Sequence, residues 1–87
     1  MLHNIKIEES FGEAVLDGRK RFEIRYNDRG YNAGDFIHFT MLDNLHCENH
    51  LHRISKNLYK ITYVYSGRGL QEGWVVFGFE EVKEEQN

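Results

Sequence analysis

Short runs of alternating apolar and polar positions recur along the chain, and this two-residue period is typical of half-buried β-strands. In the run 36–41, "FIHFTM", the apolar positions Ile37, Phe39 and Met41 share one side and are predicted to face the core. The run 57–66, "NLYKITYVYS", is rich in β-branched and aromatic residues and gives the strongest strand prediction. We predict strands over residues 3–8, about 20–26, 36–41, 57–66 and 74–82.

The segment "SFGEAVLDG", residues 10–18, has a helical period instead. Its apolar residues recur at helical spacing on one face, namely Phe11, Ala14 and Val15. Ser10 and Glu13 have the spacing of a capping box, in which two side chains satisfy backbone N–H groups of the first turn. Gly18 readily adopts the left-handed conformation that closes many helices. We therefore predict one short helix between Ser10 and Gly18.

The order of elements, one short helix followed by at least four closely spaced strands, is typical of an α+β domain built on a small, strongly bent sheet or barrel. The 87 residues suffice for one domain. The chain contains no proline, no repeat and no low-complexity linker. We predict a single domain over residues 1–82, and we expect the acidic tail over residues 83–87 to be frayed.

Charge is unevenly distributed along the chain, whose formal net charge is −3. Residues 80–87, "EEVKEEQN", contain four Glu and one Lys and account for that net charge alone. Residues 18–29 contain five basic and two acidic side chains. A local basic strip on a neutral body suits a specific anionic ligand better than bulk adhesion to DNA, which is typical of basic domains.

The sequence also limits the compartment and the cofactors that we expect. Cys47 is the only cysteine, which excludes an intramolecular disulfide. No apolar run has the length of a signal peptide or of a membrane span, so we expect a cytoplasmic protein without a membrane partner. The glycines of "SGRGLQEG", residues 66–73, lack the Gly-Lys-Ser/Thr ending of a phosphate-binding loop. We expect no cofactor.

The strand predicted over residues 20–26 carries charged side chains on one face. Phe22, Ile24 and Tyr26 point to one side, and the other side carries Arg21, Glu23 and Arg25. Two interpretations follow from this pattern. In the first, the charged residues form a solvated ladder of cross-strand pairs, each of which contributes little to stability. In the second, they form the wall of a site that binds an anionic ligand.

The segment around this strand matches a known signature. The four positions of Gly-x-Lys-x-x-Glu-x-Arg are occupied by Gly18, Lys20, Glu23 and Arg25. Together with the preceding helix, the loop "NDRGYNAGD" and the later "SGRGLQEGWVVFGF", this signature resembles the ASCH domain of the PUA-like superfamily. The similarity is greatest to a small bacterial and phage subfamily of unknown function related to ASCH, and it covers residues 3–82. It implies a small PUA-like β-barrel of about five strands with one or two short flanking helices, and a cleft beside the signature strand.

The resemblance further implies RNA binding, and the residue types of the signature strand suit a nucleotide ligand. Lys20 offers a flexible point charge for a phosphate, and Arg25 offers a planar fork for a phosphate or a base edge. Glu23 can accept a hydrogen bond from a nucleobase amine. Tyr26 or Tyr31 can stack on an unpaired base. We therefore expect a non-enzymatic module that binds RNA or a nucleotide-sized fragment of it.

Residues outside the strand complete this expected site. Arg29 and Tyr31 are expected to line the loop above the cleft, and Arg68 is expected to add a positive charge to its rim. The predicted ligand-binding residues are therefore Lys20, Glu23, Arg25, Arg29, Tyr31 and Arg68. A protein-interaction module is a further alternative, because six Phe, five Tyr and one Trp are many aromatic residues for this length.

A small amidohydrolase acting on a modified nucleoside is the main alternative function. Some ASCH-like proteins remove the acetyl group from N4-acetylcytidine, and the resemblance implies catalysis by the signature lysine, a threonine three residues later and a later glutamate. The lysine is Lys20 here, but Glu23 stands in place of the threonine, so the expected hydroxyl is missing. Glu72 and Glu80 are both candidates for the later glutamate. A buried Lys20–Glu23 pair can still transfer protons.

Two further groups of residues have simpler explanations. The run "HCENHLH" contains four possible metal ligands, His46, Cys47, His50 and His52. Zinc sites usually draw pairs of ligands from two separated segments, so we predict a polar loop or frayed hairpin without a metal. Trp74, Phe77 and Phe79 are predicted in the core. A barrel interior and a stacking platform explain equally well the alternation of Tyr59, Tyr63 and Tyr65.

Overall fold

The computed structural model describes residues 1–83, which form six strands, one α-helix and one 3₁₀-helix. The strands are β1 (Leu2–Glu8), β2 (Phe22–Tyr26), β3 (Phe36–Leu42), β4 (Glu48–Asn49), β5 (Leu58–Tyr65) and β6 (Trp74–Val82). The α-helix α1 spans Glu9–Leu16, and the 3₁₀-helix spans Arg53–Lys56. Within this part of the chain, no helix is long and apolar enough to cross a membrane. The prediction of a frayed tail falls largely on residues 84–87, outside the described residues.

All six strands belong to one mixed sheet with the order β1-β3-β5-β6-β2, and the short β4 pairs with β3. β1 and β3 run parallel, and the remaining pairs are antiparallel. The sheet forms a half-barrel with β1 and β2 as its two edge strands, which do not pair with each other anywhere in residues 1–83. The α+β class is confirmed, but the expected barrel is not closed.

The core occupies the inner face of this sheet. Ile37, Phe39 and Met41 of β3 are at most 1% exposed, which confirms the inner face predicted for that strand. The rings of Phe39, Tyr59 and Phe79 pack edge to face with centroids 5.4 to 5.6 Å apart. Burial of each large apolar side chain contributes about 2 kcal/mol, so the residues around β3 supply much of the stability.

The predicted capping box at the start of α1 is absent. Glu8, in extended conformation, is the N-cap residue, and no side chain caps the first turn. The reason is that the chain passes from β1 into α1 without a loop, which places Ser10 inside the helix. Glu13 instead accepts a hydrogen bond from His52 Nε2 at 2.8 Å.

The face that α1 buries is rotated relative to the prediction. Gly12 and Val15 are buried, whereas Phe11 is 49% exposed. A Cβ atom at Gly12 would lie 2.5 Å from Cε of Met41, so a larger residue at this position would have to displace the end of the Met41 side chain. The prediction for Gly18 is confirmed, because its φ of 84° lies in the left-handed region.

A β-bulge between Ile61 and Tyr63 changes which side chains of β5 face the core. Tyr59 and Ile61 are buried, whereas Tyr63 and Tyr65 are 68% and 38% exposed. The extra residue of a bulge reverses the alternation, so the three tyrosines do not share one face. Trp74, predicted in the core, is likewise 37% exposed, because it lies on the outer face of β6.

Candidate functional site

The gap between the edge strands β1 and β2 forms a cleft of about 550 Å³. β1 and the first turn of α1 form one wall, and β2 with the loop after it forms the other. The cleft therefore lies where the barrel would close if the two edge strands paired. Its polar and aromatic lining includes Lys6, Glu23, Arg25, Asp28, Arg29 and Trp74.

Two arginine side chains from the β2 side reach across the cleft to β1. Arg25 Nη2 donates to the carbonyl oxygen of Lys6 at 2.6 Å, and Arg29 Nη1 donates to the carbonyl oxygen of Asn4. Alternate residues of an edge strand direct their backbone groups away from the sheet, and these carbonyls would otherwise have no strand to pair with. The guanidinium groups satisfy them with charge-assisted hydrogen bonds. Side chains, rather than a ladder of backbone hydrogen bonds, connect the two edges.

Glu23 is the centre of the charged network on the inner side of β2. It is 5% exposed, and both of its carboxylate oxygens have a cationic partner. Lys20 Nζ contacts Oε1, and Arg25 Nε donates to Oε2 at 3.1 Å. Lys20 Nζ also donates to the carbonyl oxygen of Phe22 at 2.7 Å. The carboxylate is thus held in one orientation at the wall of the cleft, with Lys20 behind it.

The interpretation of the signature strand as a solvated charged face is wrong. Side chains alternate along β2 as predicted. In a strand that packs on a core the apolar side chains face inward, whereas in β2 they face outward and the charged side chains face inward. Glu23 points inward, while Phe22, Ile24 and Tyr26 are 47%, 51% and 57% exposed. Inward-pointing charges are tolerated here because the inner side of β2 faces the cleft and because Glu23 is paired.

Tyr31 forms the floor of the cleft rather than a loop above it. Its side chain is 4% exposed, and its ring centroid lies 4.9 Å from that of the buried Phe77 and 4.7 Å from that of His3. Burial raises the pKa of the Tyr31 hydroxyl above its ordinary value, although the nearby Arg29 and Arg25 act in the opposite direction. A ring packed in this way is a wall and does not offer a free stacking face.

Exposed aromatic rings stand at the rim of the cleft instead. Tyr26 is 57% exposed and Trp74 is 37% exposed, and both line the cleft. They are cross-strand neighbours on β2 and β6, with ring centroids 6.0 Å apart and planes at 76°. The predicted ligand-binding residues include neither Trp74 nor the lining residue Lys6, because their approach to the cleft depends on strand pairing between distant segments.

Arg68 lies apart from the other predicted ligand-binding residues. It is exposed in the loop between β5 and β6, where its carbonyl oxygen accepts a hydrogen bond from the Tyr65 hydroxyl at 2.9 Å. It is not among the residues that line the cleft. The structure therefore brings Glu23, Arg25, Arg29 and Tyr31 together around one space. Lys20 and Arg68 are not part of the lining of this space, although Lys20 contacts Glu23.

The histidines and the cysteine of the run 46–52 do not form a metal centre within the described chain. The run contains the short strand β4, which pairs with the end of β3, as in the predicted hairpin. His52 Nδ1 accepts from the backbone N–H of Ile54 and caps the 3₁₀-helix, so its Nε2 carries the proton donated to Glu13. His46, Cys47 and His50 are exposed. No group of three or more His, Cys, Asp or Glu in residues 1–83 is arranged to hold a metal ion.

A partly buried pair next to the floor of the cleft could not be predicted from the sequence. His3 is 3% exposed, and its Nε2 lies 2.8 Å from Oδ2 of Asp35. The hydrogen bond with His3 is the main reason that the pKa of Asp35 lies below its ordinary value. Asn32 N–H also donates to this carboxylate, at 3.1 Å. The pair joins the starts of β1 and β3, and only the parallel pairing of these strands reveals it.

Comparisons with known proteins place the chain in a family without assigning it an activity. The structure is similar to the crystal structure of the hypothetical protein PH0355, with a TM-score of 0.62 and 16% sequence identity over 94% of this chain and 100% of that chain. At this identity the similarity shows a shared fold. A search among curated proteins finds no match. The profile of a domain of unknown function, DUF3850, matches residues 2–79, and the chain therefore belongs to the DUF3850 family.

Proposed function

We propose that the chain is a PUA-like module of the ASCH type that binds RNA, or a nucleotide-sized fragment of it, in the cleft between β1 and β2. The observation that carries this proposal is the presence of three kinds of group around one cleft. Glu23 supplies an oriented carboxylate, Arg25 and Arg29 supply guanidinium groups, and Tyr26 and Trp74 supply exposed rings. Carboxylates, guanidinium groups and aromatic rings are the groups that proteins use to hold unpaired nucleotides.

The size and charge of the cleft favour one or two nucleotide units over a long polyanion. Its volume of about 550 Å³ falls within the range of small-ligand sites. Its lining is balanced in charge, since it contains the three basic residues Lys6, Arg25 and Arg29 and the three acidic residues Glu8, Glu23 and Asp28. Recognition then depends on the positions of individual cations. We expect a shallow salt dependence, with log K falling by about 0.7 per unit of log[salt] for each phosphate contacted.

The arginines have donors left for a ligand after their contacts within the chain. A guanidinium group has five N–H donors, and the described contacts of Arg25 use one at Nε and one at Nη2. Arg29 is exposed and uses one donor at Nη1 for the carbonyl oxygen of Asn4. Their anchored positions reduce the entropy lost when they bind a phosphate.

The experiment that tests this proposal is a fluorescence titration with short single-stranded RNA, nucleoside monophosphates and free nucleosides, including N4-acetylcytidine. Trp74 is the only tryptophan in the chain and lines the cleft, so its emission reports directly on occupancy. We expect Arg29→Ala to weaken binding of phosphate-bearing ligands about tenfold or more. The matched control is Arg19→Ala, which removes an exposed arginine outside the cleft.

The proposal fails if no phosphate-bearing ligand changes the Trp74 emission while circular dichroism shows a folded protein. Equal weakening by Arg29→Ala and Arg19→Ala would also contradict it, because such a result indicates general electrostatic attraction instead of binding in the cleft.

A second candidate function, hydrolysis of an amide on a modified nucleoside, is favoured by the contact between Lys20 and Glu23. Their side chains are only 16% and 7% exposed, and Glu23 lines the cleft. A shielded amine–carboxylate pair is suited to proton transfer. Incubation with N4-acetylcytidine tests this function, with release of acetate as the readout. Turnover that Lys20→Ala abolishes without loss of ligand binding would establish it, and binding without turnover would exclude it for this substrate.

A further inference from the structure

The outer surface of β2, β6 and β5 carries a continuous set of apolar and aromatic side chains. Strand register places them in three rows: Phe22 beside Gly78 and Tyr63, Ile24 beside Val76 and Tyr65, and Tyr26 beside Trp74. We call this surface the outer face and define it by Phe22, Ile24, Tyr26, Tyr63, Tyr65, Trp74 and Val76. Among residues 1–83 no helix or strand covers it.

The exposed apolar area of the outer face is larger than that of the scattered apolar residues found on most protein surfaces. Val76 is half-buried, and the exposed fractions of the other six residues run from 37% at Trp74 to 68% at Tyr63. With about 200 Å² for each fully exposed aromatic side chain, these residues present roughly 500 Å² of surface to solvent. A patch of this size is at the upper end of what monomeric proteins expose and usually marks an interaction site.

We propose that a second copy of this chain packs on the outer face and forms a symmetric dimer. A standard interface buries about 800 Å² on each partner, and homodimer interfaces are about 65% apolar. The outer face supplies close to that apolar share, and the surrounding loops can supply the polar rim. The area therefore matches what a stable dimer of two small subunits needs.

The charge distribution also suits contact between identical surfaces. In a two-fold dimer the same patch lies on both sides, so a charge in its middle would face a like charge. The three rows contain no formally charged residue. The next row along the strands holds Lys60 opposite Glu80, a pair that is neutral in sum. Two stacked sheets would then bury a face that a single half-barrel leaves in water.

This inference does not rest on the proposed function, because the dimer surface and the arginines occupy different sides of β2. Glu23 and Arg25 point inward, whereas Phe22 and Ile24 point outward. Ile24, Tyr26 and Trp74 border both regions, since all three also line the cleft. A partner seated on the outer face would leave Glu23, Arg25 and Arg29 accessible to a ligand but would compete with that ligand for the rings of Tyr26 and Trp74.

Sedimentation equilibrium of the chain over a wide concentration range tests the proposal. We expect the apparent mass to rise from 10.4 kDa toward twice that value. Tyr63→Glu and Tyr63→Lys should each raise the dimer dissociation constant about tenfold or more, because either charge would be buried at the interface. Leu51→Glu and Leu51→Lys are the matched controls, since Leu51 is 93% exposed in a distant loop, and they should leave dimerisation unchanged.

Trp74 emission against protein concentration gives a second readout, because burial of its ring on dimerisation shifts the emission to shorter wavelength. A wild-type protein that stays monomeric up to about 1 mM would overturn the proposal. A dimer that Tyr63→Glu and Tyr63→Lys do not weaken would overturn it as well, since another surface would then be responsible. Circular dichroism of each variant verifies that the comparison is made between folded proteins.

Discussion

The strands β3 and β2 both alternate between two kinds of side chain, yet they direct opposite kinds toward the interior. β3 buries Ile37 and Phe39 completely. β2 buries Glu23 and exposes Phe22 and Ile24 to solvent. The difference follows from position, since β3 has a neighbour on each side and β2 forms an edge of the sheet. Inside β3 there is a packed core, whereas inside β2 there is a cleft in which charged side chains pair with one another.

The largest difference in stability between substitutions in β3 and in β2 is expected when a phenylalanine ring is removed from each strand. Phe39→Ala should lower the free energy of unfolding by about 4 kcal/mol, because Phe39 is 0% exposed and its loss leaves a cavity. The same substitution on β2, Phe22→Ala, should cost about 1 kcal/mol, because Phe22 is 47% exposed. Urea denaturation of both variants measures the difference, and equal losses would contradict the opposite orientation of the strands.

Loss of the charge at position 23 is expected to have the next largest effect. Glu23→Gln keeps the shape of the side chain but removes the countercharge of Lys20 and Arg25. We expect a loss of about 3 kcal/mol in the free energy of unfolding, as is usual when one member of a shielded ion pair is removed. Glu72→Gln, at an exposed position in the loop between β5 and β6, is the control and should change stability by less than about 0.5 kcal/mol. A solvated ladder would instead make the two variants alike.

The contact between Asp35 and His3, at the end of β3 that pairs with β1, should make the stability of the protein depend on pH. The pKa of Asp35 is lowered in the folded protein, so its contribution to stability is present above the ordinary aspartate pKa of about 3.9 and is lost as pH falls through the lower folded value. Asp35→Asn should cost about 1.5 kcal/mol at neutral pH and flatten this acid dependence. His3→Gln should also flatten it, since His3 is the main cause of the shift. Thermal unfolding measured from about pH 6 to pH 2 compares the slopes, and wild-type slopes in both variants would refute the assignment.

The smallest effect is expected on the outside of β2. Ile24→Thr should change the free energy of unfolding by less than about 0.5 kcal/mol when it is measured on dilute, monomeric protein, because Ile24 is 51% exposed. Ile37→Thr makes the same change inside β3 and should cost about 3 kcal/mol, because it removes apolar volume and buries a hydroxyl group. Similar losses in the free energy of unfolding for the two variants would contradict the assignment of Ile24 to the exposed face and of Ile37 to the core.

Patterns that depend on neighbouring residues were predictable from the sequence, and contacts between distant segments were not. β3, β5 and β6 lie close to their predicted positions because each has a strong local period. Alternation along β2 shows that Glu23 and Ile24 are on opposite sides, but it does not show which side is inside, since that depends on whether the barrel closes. The bulge between Ile61 and Tyr63 adds one residue, so the side chains that follow it in β5 point to the opposite face from the one that the simple alternation predicts.

The candidate site follows the same rule. The signature predicted that Glu23 and Arg25 lie together, because residues two apart on a strand share a face. It did not predict that Arg25 reaches the carbonyl oxygen of Lys6 from 19 positions away, nor that Tyr31 packs against Phe77. Both contacts depend on the arrangement of β1, β2 and β6 within the sheet, for which a single sequence has no local signal.

The width of the cleft, which is the distance between β1 and β2, depends on the side chains of Arg25 and Arg29. In a closed barrel the circumference is set by strand number and stagger, so it changes only when the whole sheet is rebuilt. Here the distance between β1 and β2 is spanned by Arg25 and Arg29, and a shorter or longer residue at either position would reset it while every strand pair stays intact. We therefore expect point substitutions at positions 25 and 29 to alter the width of the cleft without altering the order of the strands.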